Sequence, residues 1–162
     1  MAELTQKERL QPSLLDRLTS DDPDRAHGYI SPARLRECVR RDLTWLLNTT
    51  NLASLQDLGE YPDVANSVLN YGMPDLAGHT ASSVDVKALE RALLRVIRDF
   101  EPRLSKSSVR VRLVMDADTM SHNAMSFDIE AELWAQPTPL RLLLRTEIDL
   151  ETGSVNVSDR QR

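Results

Sequence analysis

The sequence predicts an α+β domain, with two long helices and a short one packed on a mainly antiparallel four-stranded sheet. Apolar residues recur at helical spacing over about residues 32–47 and 85–100. The run Phe100-Glu101-Pro102-Arg103-Leu104 then breaks the pattern, because proline has no amide hydrogen and clashes with the helical turn behind it. After residue 107 the period changes from helical to the two-residue alternation of strands. Helices first and a meander afterwards place the helices on one face of the sheet.

The 162 residues suffice for one domain with a real core. Aromatic content is only 4%, so the core must be mostly Leu, Val and Ile. The net charge of -5 argues against nucleic acid or an anionic membrane as the main partner. A single cysteine, Cys38, excludes an intramolecular disulfide and fits a reducing compartment. Met1 to Arg9 is polar and charged, so no signal peptide is expected, and no apolar run approaches the length of a membrane span. A cytosolic chain without direct membrane insertion is the expectation.

Residues 1–30 read as an N-terminal arm, polar and marked by Pro12, Pro23 and Asp21-Asp22-Pro23-Asp24. Its apolar island, Ser13-Leu14-Leu15-Asp16-Arg17-Leu18, suits a short helix capped by Ser13. That helix is too short to be stable alone. Leu14, Leu15 and Leu18 therefore belong to a tail packed on its own domain, to a helix that docks on a partner, or to a disordered segment.

Residues 31–158 read as one domain. Ser31 caps the first long helix and Pro32 suits its first position. Leu35, Val39, Leu43, Leu46 and Leu47 share one face, with Cys38 and Trp45 at its edge. Asp42 falls inside that apolar arc, where an unpaired acid costs several kcal/mol. It is a half-buried acid reaching solvent, one half of a structural pair with an arginine, or a catalytic acid. Asn48-Thr49-Thr50-Asn51 ends the helix. Tyr61 to Tyr71 reads as a short helix with Pro62 near its start and Gly72 as its C′ residue. Met73 to Ser83 reads as a loop. The second long helix, from about Val84 to Phe100, buries Leu89, Leu93, Val96, Ile97 and Phe100. Arg91, Arg95 and Arg98 lie opposite, as a solvated or partner-facing stripe.

Three alternating runs follow: Val109 to Met115, Phe127 to Leu133, and Leu140 to Ile148. Glu151-Thr152-Gly153 turns into a last strand, Ser154 to Ser158. The second strand carries acids outward and its neighbours carry arginines outward, so antiparallel pairing sets opposite charges across the sheet.

Reactive chemistry is sparse. His27, His79 and His122 are scattered and lack a partner at metal-ligand spacing. No glycine-rich phosphate loop occurs. Asp116-Ala117-Asp118 reads as a solvated turn. Carboxylates are abundant, but no pair stands out as a glycosidase dyad. No catalytic residue, metal site or cofactor is expected. The corner is different. Glu101 sits at a helix C-terminus, where its charge meets the negative end of the dipole, and the proline after it pushes it out of the α region. Arg103 offers a planar bidentate donor beside it. Glu101, Pro102 and Arg103 together read as a docking feature. As surface side chains, Glu101 and Arg103 should each affect folding by no more than about 0.5 kcal/mol when replaced by Ala, while impairing assembly. The rival reading is that the two pair within the monomer and brace the corner.

Several stretches, in order, resemble the TssE family, baseplate components of type VI secretion systems related to the wedge protein of contractile phage baseplates. These are Ser13 to Leu18, Arg41-Asp42-Leu43, Leu46-Leu47-Asn48-Thr49, Tyr61-Pro62, Ser67 to Gly72 and Phe100 to Leu104. The family often has a basic residue where Thr50 stands, so this chain departs from the pattern there. The resemblance implies a structural rather than enzymatic protein, although the family was once labelled lysozyme-like. It implies that Glu101, Pro102 and Arg103 hold the baseplate wedge and the first sheath ring together. It further implies a sheath-like sheet that templates sheath assembly by strand addition. The implied partners are wedge subunits of the TssF, TssG and TssK type and sheath subunits of the TssB and TssC type. The implied place is the cytoplasmic side of a baseplate docked at the inner membrane. The alternatives are a peptidoglycan glycosidase and a generic protein-binding module.

Overall fold

The structure is a computed structural model and describes residues 12–19, 30–78, 83–114, 124–135 and 138–160. The three histidines, Met115, Asp116-Ala117-Asp118 and most of the arm lie outside the described residues. Four helices are present among them: α1 (Leu14–Thr19), α2 (Pro32–Leu47), α3 (Pro62–Ala65) and α4 (Val86–Phe100). Four strands follow: β1 (Arg110–Val114), β2 (Ala124–Leu133), β3 (Leu140–Asp149) and β4 (Val155–Asp159). The strands form one antiparallel meander in the order β1-β2-β3-β4. This is the α+β architecture that the change of period predicts.

Local chemistry sets the ends of the long helices. The Ser31 side chain accepts from the Arg34 N–H, and Pro32 takes the first turn of α2. Asp85 caps α4 through the Ala88 N–H, so this helix starts slightly after the expected Val84. It ends at Phe100, immediately before the proline corner. The buried side chains of α2 (Leu35, Cys38, Val39, Leu43, Leu46, Leu47) and α4 (Leu89, Leu93, Val96, Ile97) are those with apolar periodicity. They pack on Phe127, Ile129, Leu133, Leu142, Leu144 and Ile148 from the inner sheet face. Thr146 is also fully buried there, and its hydroxyl donates to the Phe127 carbonyl (3.2 Å), so that hydroxyl is not stranded.

The outer sheet face is charged. Asp128 on β2 stands opposite Arg112 and Arg145 in register. Arg145 Nε lies 3.0 Å and Arg160 Nη1 3.1 Å from its carboxylate.

The segment 61–71 departs from expectation. It is not one helix but the single turn α3 followed by a 3-10 turn, Val68–Asn70. Polar side chains break it by competing for backbone groups. Asn66 Nδ2 donates to the Pro62 carbonyl, Ser67 accepts from the Leu69 N–H, and Asn70 Nδ2 donates to the Ala65 carbonyl. Gly72 accordingly does not end a helix. At φ +120° it lets the chain pass the end of α2, where Met73 N–H donates to the Thr49 carbonyl (2.7 Å) and Asn51 N–H to the Met73 carbonyl (2.9 Å). A Cβ at Gly72 would lie 2.2 Å from the Thr49 oxygen. Thr50, the departure from the family pattern, is exposed and pairs with Met73 in a parallel bridge.

The arginine stripe of α4 also needs correction. Arg91 and Arg95 are exposed, but Arg98 is half-buried and reaches the Val109 carbonyl. It sits where the helix meets the sheet edge rather than facing solvent.

Candidate functional site: an ion chain from the N-terminal helix to the proline corner

The corner is stitched to the sheet by its backbone. Leu104 forms an antiparallel bridge with Leu133, Trp134 N–H donates to the Arg103 carbonyl (2.8 Å), and Ser105 N–H donates to the Glu132 carbonyl (2.9 Å). These bonds fix residues 103–105 against the end of β2. They turn Glu101 inward, so that it is only 3% exposed. The expectation that Glu101 is a surface side chain is therefore wrong. Helix termination identifies the corner but not the layer that covers it.

A buried carboxylate needs partners. Glu101 Oε1 accepts from Arg103 Nε (2.7 Å) and from the Arg103 N–H (3.1 Å), and Oε2 accepts from Arg103 Nη2. The same Nη2 donates to Asp42 Oδ2 (2.6 Å). The other oxygen of Asp42 accepts from Arg41 Nε (2.9 Å) and Nη2 (2.7 Å). Arg41 in turn makes a two-pronged contact with Asp16 on α1, at 2.6 and 3.1 Å. The result is a continuous chain, Glu101–Arg103–Asp42–Arg41–Asp16, linking the corner, α2 and α1. Of the readings open for Asp42, the geometry places it between two arginines.

The electrostatics follow from these contacts. The hydrogen bonds from Arg41 hold the Asp16 carboxyl down at about 2, against the opposing effect of burial, and Ser13 assists. Bonding to Asp16 raises Arg41 above its ordinary value. Burial works against the charge on Arg103, but Glu101 and Asp42 more than offset it and raise its pKa. Burial, then the charges of Asp42 and Glu101, push the Tyr71 phenol up. Three carboxylates face two guanidinium groups, so the chain of ions retains one negative charge.

α1 is held by polar contact more than by packing. None of its residues is buried, and Leu14, Leu15 and Leu18 are 67%, 52% and 75% exposed. Ser13 caps it through the Asp16 N–H. Arg41 also stacks over the Trp45 ring, 4.7 Å from its centre, a favourable cation–π placement. A groove of about 430 Å³ lies between α1 and the corner, lined by Leu15, Trp45, Tyr71, Phe100 and Pro102 together with Asp42, Glu101 and Arg103 from the ion chain. One donor of that lining, Arg103 Nη1, is buried and has no hydrogen-bond partner among the described residues.

Sequence reasoning singled out Glu101, Pro102, Arg103, Asp42 and the α1 leucines, and the structure brings all of them to this one region. It missed Asp16, Arg41 and Trp45. Arg41-Asp42 gave the available signal, as a base beside an acid that lies in an apolar arc. Chemically the arrangement is a brace. The oxygens of Asp42 and Glu101 are taken up by arginine donors, unlike an acid–base pair flanking a substrate. Among the described residues no cluster of His, Cys, Asp and Glu could hold a metal ion, and no helix is long and apolar enough to cross a membrane.

Comparison with known families gives a match. The family described as baseplate wedge protein gp25 matches residues 33–138, which take in both long helices, the proline corner and β1 and β2. Searches of curated proteins and of solved structures give no match. With more than half of its length matched, the chain belongs to the gp25 baseplate wedge family, the family of TssE, and has the structural role in a baseplate that membership carries.

Proposed function

We propose that this chain is the baseplate component of a type VI secretion system that links the wedge to the first tail-sheath ring and helps to start sheath assembly. Its partners in this reading are wedge subunits of the TssF, TssG and TssK type on one side and sheath subunits of the TssB and TssC type on the other. The protein works in the cytoplasm, at a baseplate docked on the inner membrane. The observation that carries the proposal is the ion chain, which makes α1, α2 and the Glu101-Pro102-Arg103 corner one unit. Rigid presentation lowers the ordering cost of binding. An exposed leucine row on a positioned helix suits a helix-in-groove contact, and a fixed corner sets the angle at which a second partner docks. Glu101 then acts indirectly, by holding the docking surface, and Arg103, whose side chain is 25% exposed, acts both in that way and through the face it presents.

The test replaces Leu14, Leu15 and Leu18 together by Ser. Because these side chains are exposed, the melting temperature should stay near wild type. Co-purification with wedge subunits and the number of assembled sheaths in cells should both fall strongly. Normal sheath assembly would remove the docking role of α1. The glycosidase alternative is tested on the purified chain, which should release no muropeptides from peptidoglycan above background. Release abolished by one Asp or Glu substitution in a folded variant would overturn the adaptor reading.

A further inference from the structure

The charge of this chain is unevenly spread. From Leu43 to Val86 there is no lysine or arginine, while Asp57, Glu60, Asp63, Asp75 and Asp85 all fall within that stretch. These five acids equal the net charge of -5, so the rest of the chain is balanced. The same stretch carries large apolar side chains in contact with solvent. Leu55, Tyr61, Val68 and Leu69 are each more than half exposed. A single exposed apolar residue is ordinary, but a group of them with a polar surround marks an interaction surface.

Polar side chains tie these residues together. Asn70 joins three short turns: it ends the 3-10 turn Val68–Asn70, its Oδ1 accepts from the Ala53 N–H (2.9 Å) in the 3-10 turn Leu52–Ser54, and its Nδ2 donates to the Ala65 carbonyl (2.9 Å) at the end of α3. Asn51 Oδ1 accepts from the Ser54 N–H (3.0 Å), and Ser54 Oγ accepts from the Asp75 N–H (3.1 Å). Leu55 follows the first of these turns, Tyr61 precedes α3, and Val68 and Leu69 lie in the last. Asp57, Glu60 and Asp63 are exposed between them, and among the described residues no ion pair engages any of the three. The surface therefore interleaves apolar side chains with acids that the chain itself does not neutralise.

We propose that this connecting segment, residues 52–69, is a docking surface for a basic amphipathic helix of a partner protein. Apolar side chains of that helix cover Leu55, Val68 and Leu69, and its lysines or arginines meet Asp57, Glu60 and Asp63. Charge complementarity selects the basic partner. The backbone selects a helix. The N–H groups of Ala53, Ser54 and Leu69 already bond to side chains, so the turns offer no row of free backbone groups to an extended segment. A helix satisfies its own backbone and recognises through side chains alone. An acidic surface is also a poor match for nucleic acid or an anionic membrane. No residue of α1 or of the proline corner takes part, so this surface and the α1 docking role can fail separately.

The experiment uses the full chain and a synthetic peptide of Leu and Lys, about five helical turns long, with leucines at i, i+3, i+4 and i+7. A second peptide of the same composition alternates Leu and Lys strictly. Binding is measured by calorimetry at about 0.15 M salt, and amide exchange locates it. The helical peptide should bind and slow exchange within residues 52–71, and the alternating peptide should do neither. Leu55→Ser with Leu69→Ser should weaken binding about tenfold or more, with a melting temperature near wild type because both side chains are exposed. Asp57→Asn, Glu60→Gln and Asp63→Asn together should weaken it by about tenfold, whereas neutralising three exposed acids elsewhere, by Glu132→Gln, Glu147→Gln and Asp159→Asn, should change it less than about twofold. Equal losses from the two sets of acids, or full binding by the leucine variant, would show general charge attraction and overturn the proposal. So would no binding of the helical peptide, protection outside this segment, or equal binding of the alternating peptide. Self-association of the wild-type chain that the leucine variant abolishes would overturn it in favour of a second copy.

Discussion

Replacing Arg103 by Ala should destabilise the folded chain by about 3 kcal/mol, the lower end of the range for removing one partner of a buried ion pair. The lower end applies because the Arg103 side chain is 25% exposed, whereas that of Glu101 is 4% exposed. The variant strips Glu101 of both guanidinium contacts and leaves it only the Arg103 N–H. Asp42 keeps Arg41. For a chain of this size each kcal/mol moves the melting temperature by about 2–4 °C, so a loss of roughly 6–12 °C is expected. The measurement is a thermal melt by circular dichroism at neutral pH. The double variant Glu101→Ala with Arg103→Ala should melt higher than Arg103→Ala alone, because it removes the stranded carboxylate as well. A change in Arg103→Ala below about 2 °C, or a double variant as unstable as the summed single losses, would refute the claim that the pair is coupled and buried. The same series matters for function. A sheath defect in Arg103→Ala must be compared with its stability before it is assigned to docking.

Three further outcomes are expected. Lowering the pH should release α1. Asp16 is held at about 2 against an ordinary 3.8, so its contribution is complete above 3.8 and is lost as pH falls toward 2. After allowance for solvent screening this amounts to about 1 kcal/mol, and it should appear as faster amide exchange within Leu14–Thr19 before the core melts. Arg41→Ala should give the same release at neutral pH, and unchanged protection of α1 in that variant would show that the Asp16 contact does not hold it. Gly72→Ala should cost about 2–3 kcal/mol, from the strained backbone and the clash with the Thr49 carbonyl; a melting temperature equal to wild type would contradict that close approach.

Sequence alone determined the elements and their inward faces. Ser31, Pro32 and Pro102 mark helix ends by hydrogen bonding and by the fixed proline ring, and these effects act within one turn of the chain. Alternation over Phe127 to Leu133 and Leu140 to Ile148 names the buried side of each strand, because a one-residue slip would invert it. The position of Asp42 within an apolar arc showed that it needed a partner. The tertiary structure alone decided who that partner is. Arg103 reaches Asp42 across 61 positions of sequence and Arg41 reaches Asp16 across 25. Periodicity tells which face is covered but not by what, so the burial of Glu101 could not be read from its place after a helix end. The break in residues 61–71 was hidden for a related reason, since the side chains of Asn66, Ser67 and Asn70 compete with a helix only once the backbone bends toward them. Asn48, Glu90 and Arg98 are the clearest case: they look like ordinary cap and surface residues until packing lays each helix beside the sheet, where they bond the backbone of Val155, Leu113 and Val109.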